Sequence, residues 1–88
     1  MKVQVLGAGC AKCKLLLSHV NEAVRGIGFP IEVEYITDIN KIINFGIMTT
    51  PGLAIDGKVV SSGRILSKEE IVTKIMNAKL EGENEEEK

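Results

Sequence analysis

The chain has 88 residues, enough for one small domain and too few for a second. Its 44% hydrophobic and 26% charged residues are typical of a folded globular protein, and a formal net charge of −1 gives no reason to expect a broadly nucleic-acid-binding surface. One Tyr, two Phe and no Trp argue against a base-stacking platform, and two cysteines argue against a disulfide-rich secreted scaffold.

The N-terminal half alternates strand-like and helix-like segments. A short apolar run at residues 3–6 predicts a first strand that ends at a glycine. Apolar side chains then recur every three or four positions from 11 to 27, which predicts an amphipathic helix that ends before Pro30. Residues 31–36 mostly alternate between apolar and polar, which predicts a strand with one solvent-facing side at an edge of the sheet.

A second helix and a hairpin follow. Thr37 or Asp38 can cap a short helix that ends at Gly46. In the apolar run after it, Asp56 and Gly57 supply the positive φ angles of a two-residue type I′ turn. These signals predict two antiparallel strands joined by a tight turn.

The last predicted element is a third helix. Ser67 followed by Glu70 forms a capping box, and the helix after it carries a core stripe of Ile71, Val72, Ile75 and Met76. The resulting order is strand, helix, strand, helix, hairpin, helix. It predicts an α/β fold with a four-stranded mixed sheet and three helices that cover both faces.

The charge is unevenly distributed. Residues 81–88 hold five Glu and one Lys, a sum of −4, so residues 1–80 carry +3. We expect the last helix to fray between Leu80 and Gly82 and residues 81–88 to form a disordered acidic tail after a domain at 1–80. No signal peptide or membrane-spanning run is recognisable, which predicts a cytoplasmic protein without membrane association.

The chemistry of the chain is expected at Cys10-Ala11-Lys12-Cys13, where the first strand meets the first helix. Thiols at this spacing can close a disulfide within one helical turn. The helix N-terminus, with Lys12 and Lys14 nearby, stabilises a thiolate at Cys10. We therefore predict that Cys10 attacks a partner disulfide and that Cys13, one turn further in, resolves the mixed disulfide.

Two other interpretations of the cysteine pair remain open. Free cysteines can pack as small buried hydrophobes. Two thiolates can also hold a soft metal such as Cu(I) or Zn, as in a metal carrier. The candidate third ligand is His19, but it lies off the apolar stripe of its helix, so we expect it to face solvent.

The cysteine motif, the element order and the segment Thr49-Thr50-Pro51-Gly52 together resemble the thioredoxin superfamily, closest to its small thioredoxin-like, glutaredoxin-sized redox proteins. The resemblance covers nearly all of residues 1–80. It implies a thiol–disulfide oxidoreductase whose redox centre is its cysteine pair, with no other cofactor and no metal, and we expect a monomer. It also implies protein disulfides as substrates and a reductase as electron donor.

The resemblance further implies roles for individual residues. The Thr50–Pro51 bond is expected to be cis and to lie beside the cysteines. The backbone of Thr50 is expected to pair with an extended substrate segment, and Gly63 to keep the surface open. Gly9 and Lys12, next to and between the cysteines, complete the expected substrate-facing set.

The chain departs from typical thioredoxins at three places. The residues between the cysteines are Ala-Lys instead of Gly-Pro, and Gly9 replaces a Trp. Six residues before the first cysteine, Gln4 stands where thioredoxins have a buried Asp. Because an amide cannot accept a proton at neutral pH, we expect no carboxylate relay to Cys13.

Overall fold

The predicted order of elements is confirmed. The computed structural model describes residues 1–86, with side-chain environments through residue 81. Its elements are β1 (Lys2–Leu6), α1 (Ala11–Arg25), β2 (Glu32–Ile36), α2 (Ile39–Asn44), β3 (Gly52–Ile55), β4 (Lys58–Ser62) and α3 (Lys68–Glu86).

The strands form one mixed sheet in the order β2-β1-β3-β4. Strand β1 is parallel to β2 and antiparallel to β3, and β3 is antiparallel to β4. The predicted edge position of β2 is therefore confirmed. At the β3–β4 turn, Asp56 and Gly57 have φ angles of 51° and 86°, the two positive values that the sequence predicted.

Helices cover both faces of the sheet because β1 and β3 alternate their side chains between two apolar clusters. Val3 and Val5 point to the larger cluster, which includes buried residues of α1 and α3. Leu6 and Ala54 point the opposite way, against Ile42 of α2. Helix α1 therefore packs against both the sheet and α3.

The starts of α2 and α3 follow the predicted capping rules. Asp38 is the cap of α2, since its Oδ1 accepts a hydrogen bond from the Asn40 amide at 2.8 Å. At α3, the Glu70 amide donates to Ser67 Oγ at 3.2 Å, and the Ser67 amide donates to Glu70 Oε1 at 3.3 Å. Both reciprocal bonds of the capping box are present.

Helix α3 differs from the sequence expectation in its length and in one core position. It continues to Glu86, past the predicted fraying point between Leu80 and Gly82. Glutamate is a good helix former, and Glu81 lies 3.7 Å from Lys58 Nζ, which offsets its unfavourable position near the helix C-terminus. Residues 81–86 therefore extend the helix instead of leaving it as a disordered tail, and 87–88 lie outside the described residues. Met76, predicted as core, is 42% exposed.

No helix in the described part of the chain is long and apolar enough to cross a membrane.

Candidate active site

Cys10 begins helix α1 as its N-cap. Its backbone is extended (φ −71°, ψ 163°), and its Sγ accepts a hydrogen bond from the Cys13 amide at 3.2 Å. Its carbonyl accepts from the Lys14 amide at 3.0 Å, the first bond of the helical ladder. The Cys10 sulfur therefore lies at the positive end of the helix dipole, where an amide N–H stabilises a thiolate.

The two cysteines form a disulfide, with their Cα atoms 5.1 Å apart. They differ sharply in accessibility, because Cys10 is exposed and Cys13 is fully buried. An exposed sulfur at a helix start can meet another protein's disulfide, whereas the buried sulfur can reach only its neighbour within the same turn. The geometry of the pair thus matches a nucleophile and a resolving thiol.

The loop before β3 lies at the same end of the sheet as the cysteine loop, because Leu6 pairs with Gly52. The Thr50–Pro51 peptide bond is cis, as the resemblance implied. Pro51 is buried while Thr50 is exposed, so the backbone before the proline lies at the surface. The Gly63 amide donates to the Pro51 carbonyl at 2.8 Å, which ties the β4–α3 loop to the cis-proline loop.

Gly63 is a glycine for a clear steric reason. Its φ is +75°, and a Cβ there would lie 2.9 Å from Thr49 Oγ1. Gly9 also has a positive φ of +88°, but a Cβ there would meet no atom within 4 Å. Gly9 and Lys12 are both exposed beside the disulfide. Their predicted contact with substrate stays a prediction.

An apolar groove of about 580 Å³ opens next to the cysteine loop. Ala8, two residues before Cys10, lines one side, and Thr50 lines the other. The exposed side chains that complete its wall are Ile39 (60% exposed), Ile43 (62%) and Met48 (99%). The sequence predicted the second helix but not the groove, because an apolar spacing of four fits a buried face and an exposed face equally well.

Gln4, which stands where typical thioredoxins have an acid, makes a structural contact with the hairpin turn. It is 8% exposed, and its Oε1 accepts a hydrogen bond from the Gly57 amide in the β3–β4 turn at 3.0 Å. The turn lies beside the start of β1, since the Asp56 amide donates to the Lys2 carbonyl. The Gln4 side chain is therefore directed away from the cysteine end of β1, and it fastens the hairpin.

The expectation that His19 faces solvent is wrong. Its side chain is half-buried, and its Nδ1 donates to the Leu66 carbonyl at 2.8 Å. A carbonyl only accepts, so the hydrogen is on Nδ1. This position lies at the flank of the buried stripe, where α1 meets the segment before α3. Within the described residues, no group of three or more His, Cys, Asp or Glu side chains could hold a metal ion.

A four-stranded mixed sheet, a Cys-x-x-Cys disulfide at a helix start and an adjacent cis-proline loop define the class of thiol–disulfide oxidoreductases with this fold. Comparison with known proteins agrees. The model of the thioredoxin domain family matches residues 1–76. A thioredoxin of Methanothermobacter thermautotrophicus is 44% identical over 71 residues, which cover 81% of this chain and 92% of that protein. A thioredoxin of Methanocaldococcus jannaschii is 38% identical over 69 residues, which cover 78% and 79%.

The chain therefore belongs to the thioredoxin domain family. Its activity is thiol–disulfide exchange through the Cys10–Cys13 pair.

Proposed function

We propose that this protein reduces disulfides of other proteins with Cys10 as the nucleophile and Cys13 as the resolving thiol. The observation that carries the assignment is the difference in exposure between two sulfurs on one helical turn: Cys10 is accessible, and Cys13 is fully buried. The cysteine pair is the only redox centre we propose, with no further cofactor.

The first step joins the protein to its substrate. In the dithiol form, the Cys10 thiolate attacks one sulfur of the substrate disulfide. A new bond forms between Cys10 Sγ and that sulfur, and the other substrate sulfur leaves as a thiolate. The Cys13 amide and the helix dipole stabilise the attacking thiolate before the step, since both lie at its position.

The second step releases the substrate. Cys13 loses its proton to water or to the departing thiolate and attacks Cys10 Sγ. The mixed disulfide breaks, the second substrate sulfur leaves, and the Cys10–Cys13 disulfide forms. Two electrons have moved from the protein to the substrate. No carboxylate takes the Cys13 proton in this scheme, because Gln4 is neutral and hydrogen-bonded to the hairpin turn.

We propose that the substrate lies along the cis-proline loop and over the apolar groove. Thr50 is exposed and can pair its backbone with an extended segment. The groove is continuous with this loop and with Ala8, beside Cys10. Its exposed aliphatic wall favours a substrate with an apolar side chain near the disulfide. The proposed occupant is therefore an extended, aliphatic segment of an oxidised protein.

The order of the cysteines is tested by trapping. The Cys13→Ser variant should accumulate a mixed disulfide through Cys10 when it meets an oxidised protein such as insulin. The Cys10→Ser variant should accumulate little, because its remaining thiol is buried. A gel without reductant, followed by identification of the linked cysteine, measures both. Equal trapping by the two variants would contradict the assignment.

The groove is tested by a pair of matched methionine substitutions. Met48 lies in the groove, whereas Met76 lies on α3 outside it. Met48→Gln should raise KM for insulin by about fivefold, since partial burial of one methionine is worth about 1 kcal/mol. Met76→Gln should leave KM unchanged, and neither should alter the rate with a small aromatic disulfide. Equal changes in KM for both variants would rule out the groove.

We further propose a reductase of the thioredoxin-reductase type, or another thiol-reducing system, as the electron donor. We also propose that the protein acts as a monomer in the cytoplasm. A reducing compartment returns the cysteine pair to its dithiol form after each cycle.

A further inference from the structure

Gly7, the residue after β1, lies directly against Cys13. A Cβ at Gly7 would be 2.8 Å from Cys13 Cβ and would overlap Cys13 Sγ. Real Cβ atoms do not tolerate such contacts without a shift of one partner. The backbone of Gly7 itself has an ordinary φ, outside the left-handed region, so only the lack of space requires glycine there.

The backbone on each side of this contact is held in place. The Gly7 amide donates to the Ile36 carbonyl at 3.0 Å, which continues the parallel pairing of β1 with β2. On the other side, Cys13 is fully buried in the first turn of α1. A side chain at Gly7 would therefore push directly on the Cys13 side chain.

The disulfide and dithiol states differ in how the Cys13 side chain could relieve this steric overlap. In the disulfide, Cys13 Sγ is held in place by its bond to Cys10. In the dithiol that bond is absent, so the χ1 angle of Cys13 is no longer fixed by Cys10. Crowding between the two Cβ atoms occurs in both redox states, so it does not change the free-energy difference between them. The overlap with Sγ, in contrast, destabilises the disulfide.

We infer that Gly7 sets the thiol–disulfide equilibrium of the protein, because the empty space at its Cα stabilises the disulfide relative to the dithiol. A more stable disulfide makes the dithiol a stronger reductant. The relevant exchange is that of the protein disulfide with two molecules of a small thiol, which gives the protein dithiol and one small disulfide. Two electrons pass from the small thiols to the protein, and no other reactant is needed.

The test is the equilibrium of the full chain with reduced and oxidised glutathione, followed by alkylation of free thiols. Gly7→Ala should lower the equilibrium constant for disulfide formation at least tenfold, equivalent to about 30 mV in potential. Gly28→Ala is the matched control, since Gly28 is exposed and a Cβ there meets no atom within 4 Å. An unchanged constant in Gly7→Ala would overturn the inference.

A second measurement separates this effect from a general loss of folding. The free energy of unfolding is measured for Gly7→Ala in the disulfide form and in a background in which both cysteines are serine. The substitution should destabilise the disulfide protein more than the serine protein. Equal losses would overturn the inference. Because no protein substrate is used, this result is independent of the proposed substrate site.

Discussion

The hydrogen bond from His19 to Leu66 offers a direct test of how α1 is attached to the rest of the molecule. His19→Leu removes the donor and leaves the Leu66 carbonyl without this partner. His19→Asn keeps an N–H at a similar distance from the backbone, because the amide nitrogen of Asn occupies a place comparable to Nδ1. The two variants thus differ mainly in the hydrogen bond.

The expected loss follows from the environment of the bond. The donor and acceptor are 2.8 Å apart and partly buried. Leaving such a carbonyl unsatisfied costs about 1–3 kcal/mol. In a domain of 60–100 residues, each kcal/mol lowers the melting temperature by about 4–8 °C. His19→Leu should therefore show a clear decrease in stability, and His19→Asn should recover much of it.

Urea denaturation followed by circular dichroism measures the effect, with both variants in the disulfide form. Leu is a better helix former than Asn, so helix propensity alone would rank the two variants in the opposite order. Ser18→Ala, at the exposed neighbouring position, is the control and should not lower stability. The reasoning is refuted if His19→Leu matches the wild type or if His19→Asn is no more stable than His19→Leu.

Two further predictions concern the capping box and the hairpin. The hydrogen bond from the Ser67 backbone, with Arg64 nearby, lowers the pKa of the Glu70 carboxyl below its ordinary 4.5. The ionised Glu70 carboxylate therefore stabilises the fold above pH 4.5, and this stabilisation is lost as the pH falls through the lowered pKa. The urea midpoint of Glu70→Gln should therefore depend less on pH in this acid range than that of the wild type. Gln4→Met removes the acceptor of the Gly57 amide and should cost about 1 kcal/mol in unfolding free energy. Its reaction rate with a small disulfide should equal that of the wild type, and a change would show that Gln4 acts on the cysteines.

The parts of the fold that depend on nearby residues could be predicted from the sequence. Hydrophobic periods of two and of three to four distinguish strands from helices within short windows. The Ser67–Glu70 pair and the Asp56–Gly57 turn act within a few positions, so each was predicted correctly. The cap of α2 is Asp38, one of the two candidates that the sequence offered. The place of Cys10 at a helix start is equally local, and it already favours thiol–disulfide exchange over the other interpretations of the cysteine pair.

The resemblance to a known family supplied what local reasoning could not. A single X–Pro bond is trans by default, and the cis state of Thr50–Pro51 was expected only from that resemblance. The resemblance also singled out Gly63, but only the structure shows that its amide donates to the Pro51 carbonyl.

Only the tertiary structure decided which residues distant in sequence contact each other. It also decided which apolar side chains of a helix are buried where the spacing allows more than one answer. His19 and Leu66 are 47 positions apart, so the sequence pattern could not show that the imidazole has a carbonyl to meet. Ile43 has a helical spacing that fits the core, yet it is exposed because α2 packs only Ile42 against the sheet. The sequence places Gly7 at the end of the first strand, but the lack of space for a Cβ beside Cys13 arises only after β1 and α1 have packed together. Caps, turns and the cysteine motif depend on residues that are close in sequence, so the sequence alone determines them. Steric fit depends on which distant atoms the fold brings together.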